Sequence, residues 1–252
     1  MKTGWALYKR ELTSLFLSPV AYVFAVLTLF GLGSCFVLCL NNAVRLSSEF
    51  SLPGLIESFH TFLFWLVPIP LCTAITMRLF SEEKRSGTIE TLMTAPVTDL
   101  EVVLAKYLGA LTFYALLVAP TSIFFLLLGP ASADPGLQGA VLLGLLLLGS
   151  LFLSVGCLAS ALSAHQIVAA IVTAAALTLL AFGPPLLKFS SVSNEAVRGT
   201  AAYLNLMPGW TGSLVGSFDR GFVTLGHLAY PLSGTACCLF LAVKVMESRS
   251  WK

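Results

Sequence analysis

Residues 77–110, MRLFSEEKRSGTIETLMTAPVTDLEVVLAKYLGA, form the one long charge-bearing stretch of a chain that is otherwise mostly apolar. Arg78, Glu82, Glu83, Lys84, Arg85, Glu90, Asp99, Glu101 and Lys106 gather nine of the 26 charged side chains into about an eighth of the length. Ser86 and Gly87 break one helix. Thr88, Ile89, Leu92, Met93 and Pro96 then follow at spacings of one to four residues. That pattern predicts a short amphipathic helix from Gly87 to Ala95, ended by Pro96 because proline disfavours helix in the residue before it. Thr98 and Glu101 next form a Thr-x-x-Glu capping box, in which hydroxyl and carboxylate each satisfy a free backbone amide at the start of a new helix. The stretch reads as helix, turn, short helix, capped helix, held at a membrane surface by what flanks it.

Those flanks set the class. With 252 residues, 57% hydrophobic, 10% charged and a mean hydropathy of +0.91, a soluble fold would need a core larger than the chain can enclose. The composition is that of an all-α integral membrane protein. A formal net charge of +2 without any extended basic patch gives no expectation of nucleic-acid binding. Cys35, Cys39, Cys72, Cys157, Cys237 and Cys238 all lie in apolar runs and read as small buried hydrophobes rather than a disulfide framework or a metal site.

Before the charged stretch, residues 1–17 place Trp5, Tyr8, Leu12, Leu15 and Phe16 on one helical face with Lys9, Arg10 and Thr13 turned away. Such a helix is expected to lie in the membrane interface. Leu12 to Val44 carries no charge, and residues 20–40 suffice to cross a hydrocarbon core of about 30 Å. Leu32-Gly33-Ser34-Cys35 faintly resembles a lipoprotein cleavage site, but the apolar run continues past it, so cleavage is not expected. A second span is expected over about 59–80, kinked at Pro68 and Pro70, and a third over about 106–128, with Pro120 inside it.

After the charged stretch, 53 residues from Pro135 to Leu187 lack Lys, Arg, Asp and Glu. This is about twice the length of one span. The expectation is a hairpin of spans over 138–162 and 166–187, turning at Ser163-Ala164-His165-Gln166 and closed by Pro184-Pro185. A mixed loop, 188–227, and a last span, 228–246, complete six crossings in one domain, 1–252, with 81–104 as the cytoplasmic segment. If both termini share a side, that side holds ten Lys and Arg and the other four, Arg45, Lys188, Arg198 and Arg220. The positive-inside rule makes the ten-residue side cytoplasmic.

Chemistry is sparse. The span centres hold no Asp, Glu, Lys or Arg, which argues against an ion-coupled carrier with a buried carboxylate. His60, His165 and His227 read as structural. Glu82-Glu83 fits the start of the Glu-Glu-x-x-x-Arg signature of intramembrane prenyl-protein proteases, but Gly87 stands where its arginine is needed. No His-Glu-x-x-His, Gly-x-Ser-x-Gly or phosphate-binding Gly-x-x-x-x-Gly-Lys-Ser/Thr motif occurs. The chain is expected to bind no cofactor and to be no enzyme.

The ordered set Arg78, Glu82, Glu83, Gly87-Thr88, Glu90, Leu92, Pro96-Val97 and Lys106 resembles the first intracellular loop of ABC-2 type transporter permeases. LASALSAHQIVAA around Ser160 to Gln166 and SFDRG at Ser217 to Gly221 are similar to the gliding-motility (Gld) and NosY-like branch. Gly226-His227 departs from that branch's acidic residue after SFDRG. The resemblance implies six spans, an interfacial elbow helix with Lys9, Arg10 and Glu11 as anchors, and a coupling helix docking into a separate ATPase subunit. Glu82, Glu83, Gly87, Thr88, Ile89, Glu90, Leu92, Met93 and Pro96 would form that contact, with His165 and Gln166 as a second one.

By the same resemblance, ATP and Mg would be bound by the partner ATPase, a second permease subunit would complete the exporter, and an auxiliary Gld-type membrane protein could join it. Its place would be the bacterial inner membrane, both termini cytoplasmic, in contact with lipid. Lipid, polysaccharide, peptide and drug export all fit equally. The rival reading is an ATP-independent membrane anchor or intramembrane hydrolase.

Overall fold

A computed structural model describes residues 2–46, 68–87, 98–127, 135–189, 206, 218, 221 and 223–248. In chain order the helices are α1 (Lys2–Leu17), α2 (Pro19–Leu46), α3 (Pro68–Thr76), α4 (Ser81–Ser86), α5 (Asp99–Val118), α6 (Pro120–Leu127), α7 (Pro135–Leu162), α8 (Gln166–Phe189) and α9 (Leu225–Glu247). No strand occurs among the described residues. Among the described residues, five stretches are long and apolar enough to cross a membrane, within α2, α5 to α6, α7, α8 and α9. Of the expected second span only the end is described. Residues 59–67 lie outside the described residues, and so does the expected amphipathic helix beyond Gly87.

Helix α7 is the centre of the bundle. It packs against α9 most extensively, and also against α8, α3 and α5. Leu148, Leu151, Phe152, Leu153 and Cys157 on it are buried. Gly149 permits the approach of α5, because a Cβ there would lie 2.0 Å from Tyr114 Cε1. Tyr114 is itself fully buried and donates its hydroxyl to Leu145 O at 3.2 Å. The opposite faces of the outer helices expose Tyr22, Val26, Phe30, Ile167, Ile171, Leu179, Leu232 and Phe240. Lipid tails are as apolar as leucine, so such faces carry no penalty in a bilayer. Cys35, Cys72 and Cys157 are buried as expected, whereas Cys237 is exposed, on the same face of α9 as Phe240 and Leu241.

The boundaries follow local chemistry. Helix α5 opens with the capping box: Glu101 N–H donates to Thr98 Oγ1 at 3.3 Å and Thr98 N–H to Glu101 Oε2 at 3.4 Å. The helix thus starts at Asp99, directly behind the expected cap, and its first residues precede the stretch from about 106 expected to cross the membrane. Pro120 has no N–H to donate and ends α5, yet Ala119 keeps helical angles (φ −51°, ψ −37°), so α6 prolongs the same span. The turn of the hairpin falls at 163–165, as expected.

Three expectations need correction. The second span does not stay helical to Phe80; α3 stops at Thr76, because the amides of Phe80 and Ser81 turn away to the Ser160 hydroxyl at 3.1 and 3.3 Å. Pro184-Pro185 does not end the helix, since α8 runs through both to Phe189, although its apolar span stops at Gly183 just ahead of them; membrane helices tolerate proline where local adjustments satisfy the freed carbonyls. The last span begins at Leu225, behind Thr224, three residues earlier than 228.

The N-terminal helix is a separate element. Ser18 divides it from α2, and it lies along α5. Leu7, Leu15 and Phe16 pack on the core, Phe16 edge-on to Phe113 at 5.3 Å, while Trp5 points out at 63% exposure.

Candidate functional site

Helix α4, SEEKRS, is too short to stand alone; isolated helices need about 12 to 15 residues. Its own N-terminal residue, Phe80, supplies no side-chain cap. The cap comes from across the bundle, in the Ser160 hydroxyl that accepts the Phe80 and Ser81 amides. Lys84 donates its ammonium to Ala161 O, near the C-terminal end of α7, where free carbonyls favour a cation. Glu82 and Glu83 sit in the first turn of α4 and Lys84 and Arg85 in its last, each sign matched to the helix dipole. Gly87 ends it in the left-handed region (φ 72°, ψ −1°), which glycine adopts without steric cost.

On its other side α4 meets a buried cation. Lys106, one of the most enclosed residues of α5 at 3% exposure, places Nζ 2.8 Å from Glu83 Oε1 and 3.0 Å from Glu11 Oε1. The same ammonium lies 5.5 Å from the Phe80 ring centroid. One ammonium therefore ties together α1, α4 and α5. Beside it Arg78 donates Nη1 to Ser18 Oγ at 3.3 Å, reaching the break between α1 and α2. Arg78 Nε and Glu83 Oε2 are buried with no hydrogen-bond partner among the described residues. Both border a polar cavity of about 270 Å³, which Arg10, Glu82 and Ser14 also line.

These contacts sort the expected residues. Glu83 and Glu11 are brought together on Lys106, and Arg10 and Glu82 line the cavity beside them. Lys9 is exposed on α1, and Gly87 is the C-cap. His165 is exposed in the 163–165 turn and Gln166 opens α8; the turn lies a few residues beyond Ser160 and Ala161, the two positions that hold α4. Thr88, Ile89, Glu90, Leu92, Met93 and Pro96 lie outside the described residues. Sequence reasoning named Arg78 and Lys106 in the family-like set and Ser160 in LASALSAHQIVAA, but gave none of the three a place in the site, Lys106 above all. A signal was present: Lys106 is the one charge between Glu101 and Asp134. A cation inside an apolar helix has to find carboxylates.

Chemically the arrangement is a joint. It holds α1, α4, α5 and the end of α7 together by ionic and hydrogen bonds where the charged stretch enters the bundle.

No curated protein matches the chain. Residues 49–216 match the family described as "ABC-2 family transporter protein". The match takes in α3 to α8 and so contains Arg78, Glu83, Lys106 and Ser160, while α1 with Glu11 lies ahead of it. Spanning about two thirds of the chain, it shows that this multi-pass membrane protein belongs to the ABC-2 family of transporter membrane subunits.

Proposed function

We propose that this chain is the permease subunit of an ATP-binding-cassette exporter and that the segment from Glu82 to Pro96 receives the movement of a separate ATPase subunit. The observation that carries this reading is the joint around Lys106. A segment pushed by a partner can move a membrane bundle only if it is attached to it, and α4 is attached on two sides. Glu83 joins it to α5 and α1 through Lys106, and Lys84 and the Phe80 and Ser81 amides join it to α7. The segment itself has the composition of a docking element, with Ile89, Leu92 and Met93 as an apolar anchor and Glu82, Arg85 and Glu90 as a charged rim. Exposed His165 and half-buried Gln166, beside the same joint, offer a second contact.

In this reading ATP and Mg are held by the ATPase, two permease subunits share two ATPases, α1 lies in the cytoplasmic interface anchored by Lys9, Arg10 and Glu11, and the complex sits in a bacterial inner membrane. The narrower assignment, to a gliding-motility system with its own auxiliary membrane protein, rests on LASALSAHQIVAA and SFDRG alone.

The test is a mild-detergent pull-down of the tagged chain from its native host, with identification of stoichiometric partners and ATP turnover of the eluate. An ATPase in equal amount, lost from the Glu90→Lys/Leu92→Asp variant while the chain stays in the membrane, is the expected outcome. A chain that purifies without an ATPase would return the anchor and intramembrane-hydrolase readings. Retention of the ATPase by the double variant would remove the docking segment from the reading. An auxiliary membrane protein in the same eluate decides the gliding-motility assignment.

A further inference from the structure

Between α1 and α5 runs a second cavity of about 560 Å³, apolar along its length and open on one side. Trp5 and Tyr8, stacked at 5.2 Å, form one wall, and Leu104 and Leu108 on α5 form the other. Its two ends differ. At one end Tyr8 Oη and Thr112 Oγ1 are 2.9 Å apart, and Thr112 passes its own proton to Leu108 O at 2.7 Å. Both hydroxyls are thus satisfied, and that end offers a ligand no free donor. At the other end stands Glu101. Its Oε2 accepts the Thr98 amide, while Oε1 is turned toward Gly4, where an added Cβ would lie 4.0 Å from it. Glu101 is the third residue of α5 and Thr112 lies eleven residues on, roughly 16 Å along the helix axis at 1.5 Å per residue. Because α5 crosses the membrane, the carboxylate marks the interfacial end and the hydroxyl pair the deeper one.

We propose that this groove holds a phospholipid whose headgroup carries a protonated amine, phosphatidylethanolamine, with one acyl chain along Leu104 and Leu108 and the ammonium at Glu101. The apolar walls alone cannot choose among lipids, because in a bilayer a tail gains little by leaving other tails for leucine side chains. Selection falls to the charged group at the mouth, and a carboxylate favours a primary ammonium over an anionic glycerol headgroup. A quaternary choline carries the charge but no N–H to donate to the carboxylate. The groove's size lies within the range of about 300 to 1,000 Å³ common for small-ligand sites. The inference needs only that α5 spans a membrane, and it stands or falls separately from any ATPase.

The test uses the full chain in vesicles of equal phosphatidylethanolamine, phosphatidylglycerol and phosphatidylcholine, each in turn carrying a photoactivatable acyl chain, with cross-linked residues mapped by mass spectrometry. Labelling between Trp5 and Tyr8 and between Leu104 and Thr112 should favour the ethanolamine lipid about threefold, the scale of one partly exposed ion pair. Glu101→Gln, which keeps the capping box because glutamine serves there as well, should bring that preference to parity. Leu108→Trp, which leaves the cap untouched and fills the groove, should abolish the labelling. Equal labelling by all three lipids, an unaltered preference in Glu101→Gln, or labelling that survives Leu108→Trp would overturn the proposal. So would a groove that no lipid labels, as a second copy seated on it would produce.

Discussion

Lys106 is held by two carboxylates. An ammonium at 3% exposure is tolerable only with compensating charge, and Glu11 and Glu83 supply one carboxylate more than neutrality needs. Removing the cation leaves two half-buried carboxylates, 15% and 17% exposed, without their common partner, and breaking a fully buried pair in this way costs about 3 to 5 kcal/mol, an upper bound here. Lys106→Met should therefore lower the unfolding temperature of the detergent-solubilised chain sharply. The triple variant Lys106→Met/Glu11→Gln/Glu83→Gln should return to within about 1 kcal/mol of the parent, since replacing all members of a buried ionic group is often nearly neutral. A triple variant as unstable as the single one would mean that Lys106 acts through packing of its stem. If the joint transmits movement, the stable triple variant should still bind its ATPase yet export poorly. At the N-terminus of the same helix, Thr98→Ala removes one cap acceptor and should cost about 1 kcal/mol in the same thermal assay.

Helices whose ends are set by neighbouring residues were legible in the sequence, and those set across the bundle were not. The capping box of α5 involves residues three apart, and Thr98 and Glu101 announce it unaided. The hairpin turn at 163–165 is the polar break in a charge-free run and could hardly fall elsewhere. By contrast, α3 ends at Thr76 because Ser160, about 80 positions later in the chain, takes the next free amides. Lys106 similarly finds Glu11 95 residues earlier. No local pattern encodes such partners. The packing of α5 on α7 is of this second kind. Gly149 is one of many small residues in an apolar helix, and only the Tyr114 ring set against it makes it necessary. Gly149→Ala should cost about 1 to 3 kcal/mol by overpacking. Tyr114→Ala leaves a cavity in the same place, so the double variant should cost clearly less than the sum of the two. Strict additivity in thermal unfolding would show that α5 shifts away from α7 freely and that the contact is not a fixed one.

At the scale of the whole molecule, the joint decides which parts of the chain share a side of the membrane. Glu11 fixes α1 to the start of α5, and Ser160 and Ala161 fix α4 to the end of α7, so α1, α4 and the turn at 163–165 gather at one end of the bundle. That end also carries Lys9, Arg10, Arg78, Lys84, Arg85 and Lys106. Helix α7, 28 residues and roughly 42 Å long, reaches well beyond a hydrocarbon core of about 30 Å. Val223, ahead of α9, is therefore separated by a full crossing from the turn that opens α8. The positive-inside rule assigns the cation-rich end to the cytoplasm. In a background without the native cysteines, Thr13→Cys on α1 and Ala164→Cys in the turn should both resist a membrane-impermeant maleimide in intact cells and react once the membrane is opened. Val223→Cys should react from outside. The inverse pattern would turn the protein over in the membrane and put the proposed docking segment out of reach of ATP. Thr13 and Ala164 reacting from opposite sides would require an odd number of crossings between them. Residues 47–67 would then fail to bring the chain back across, and the six-span architecture would fall with them.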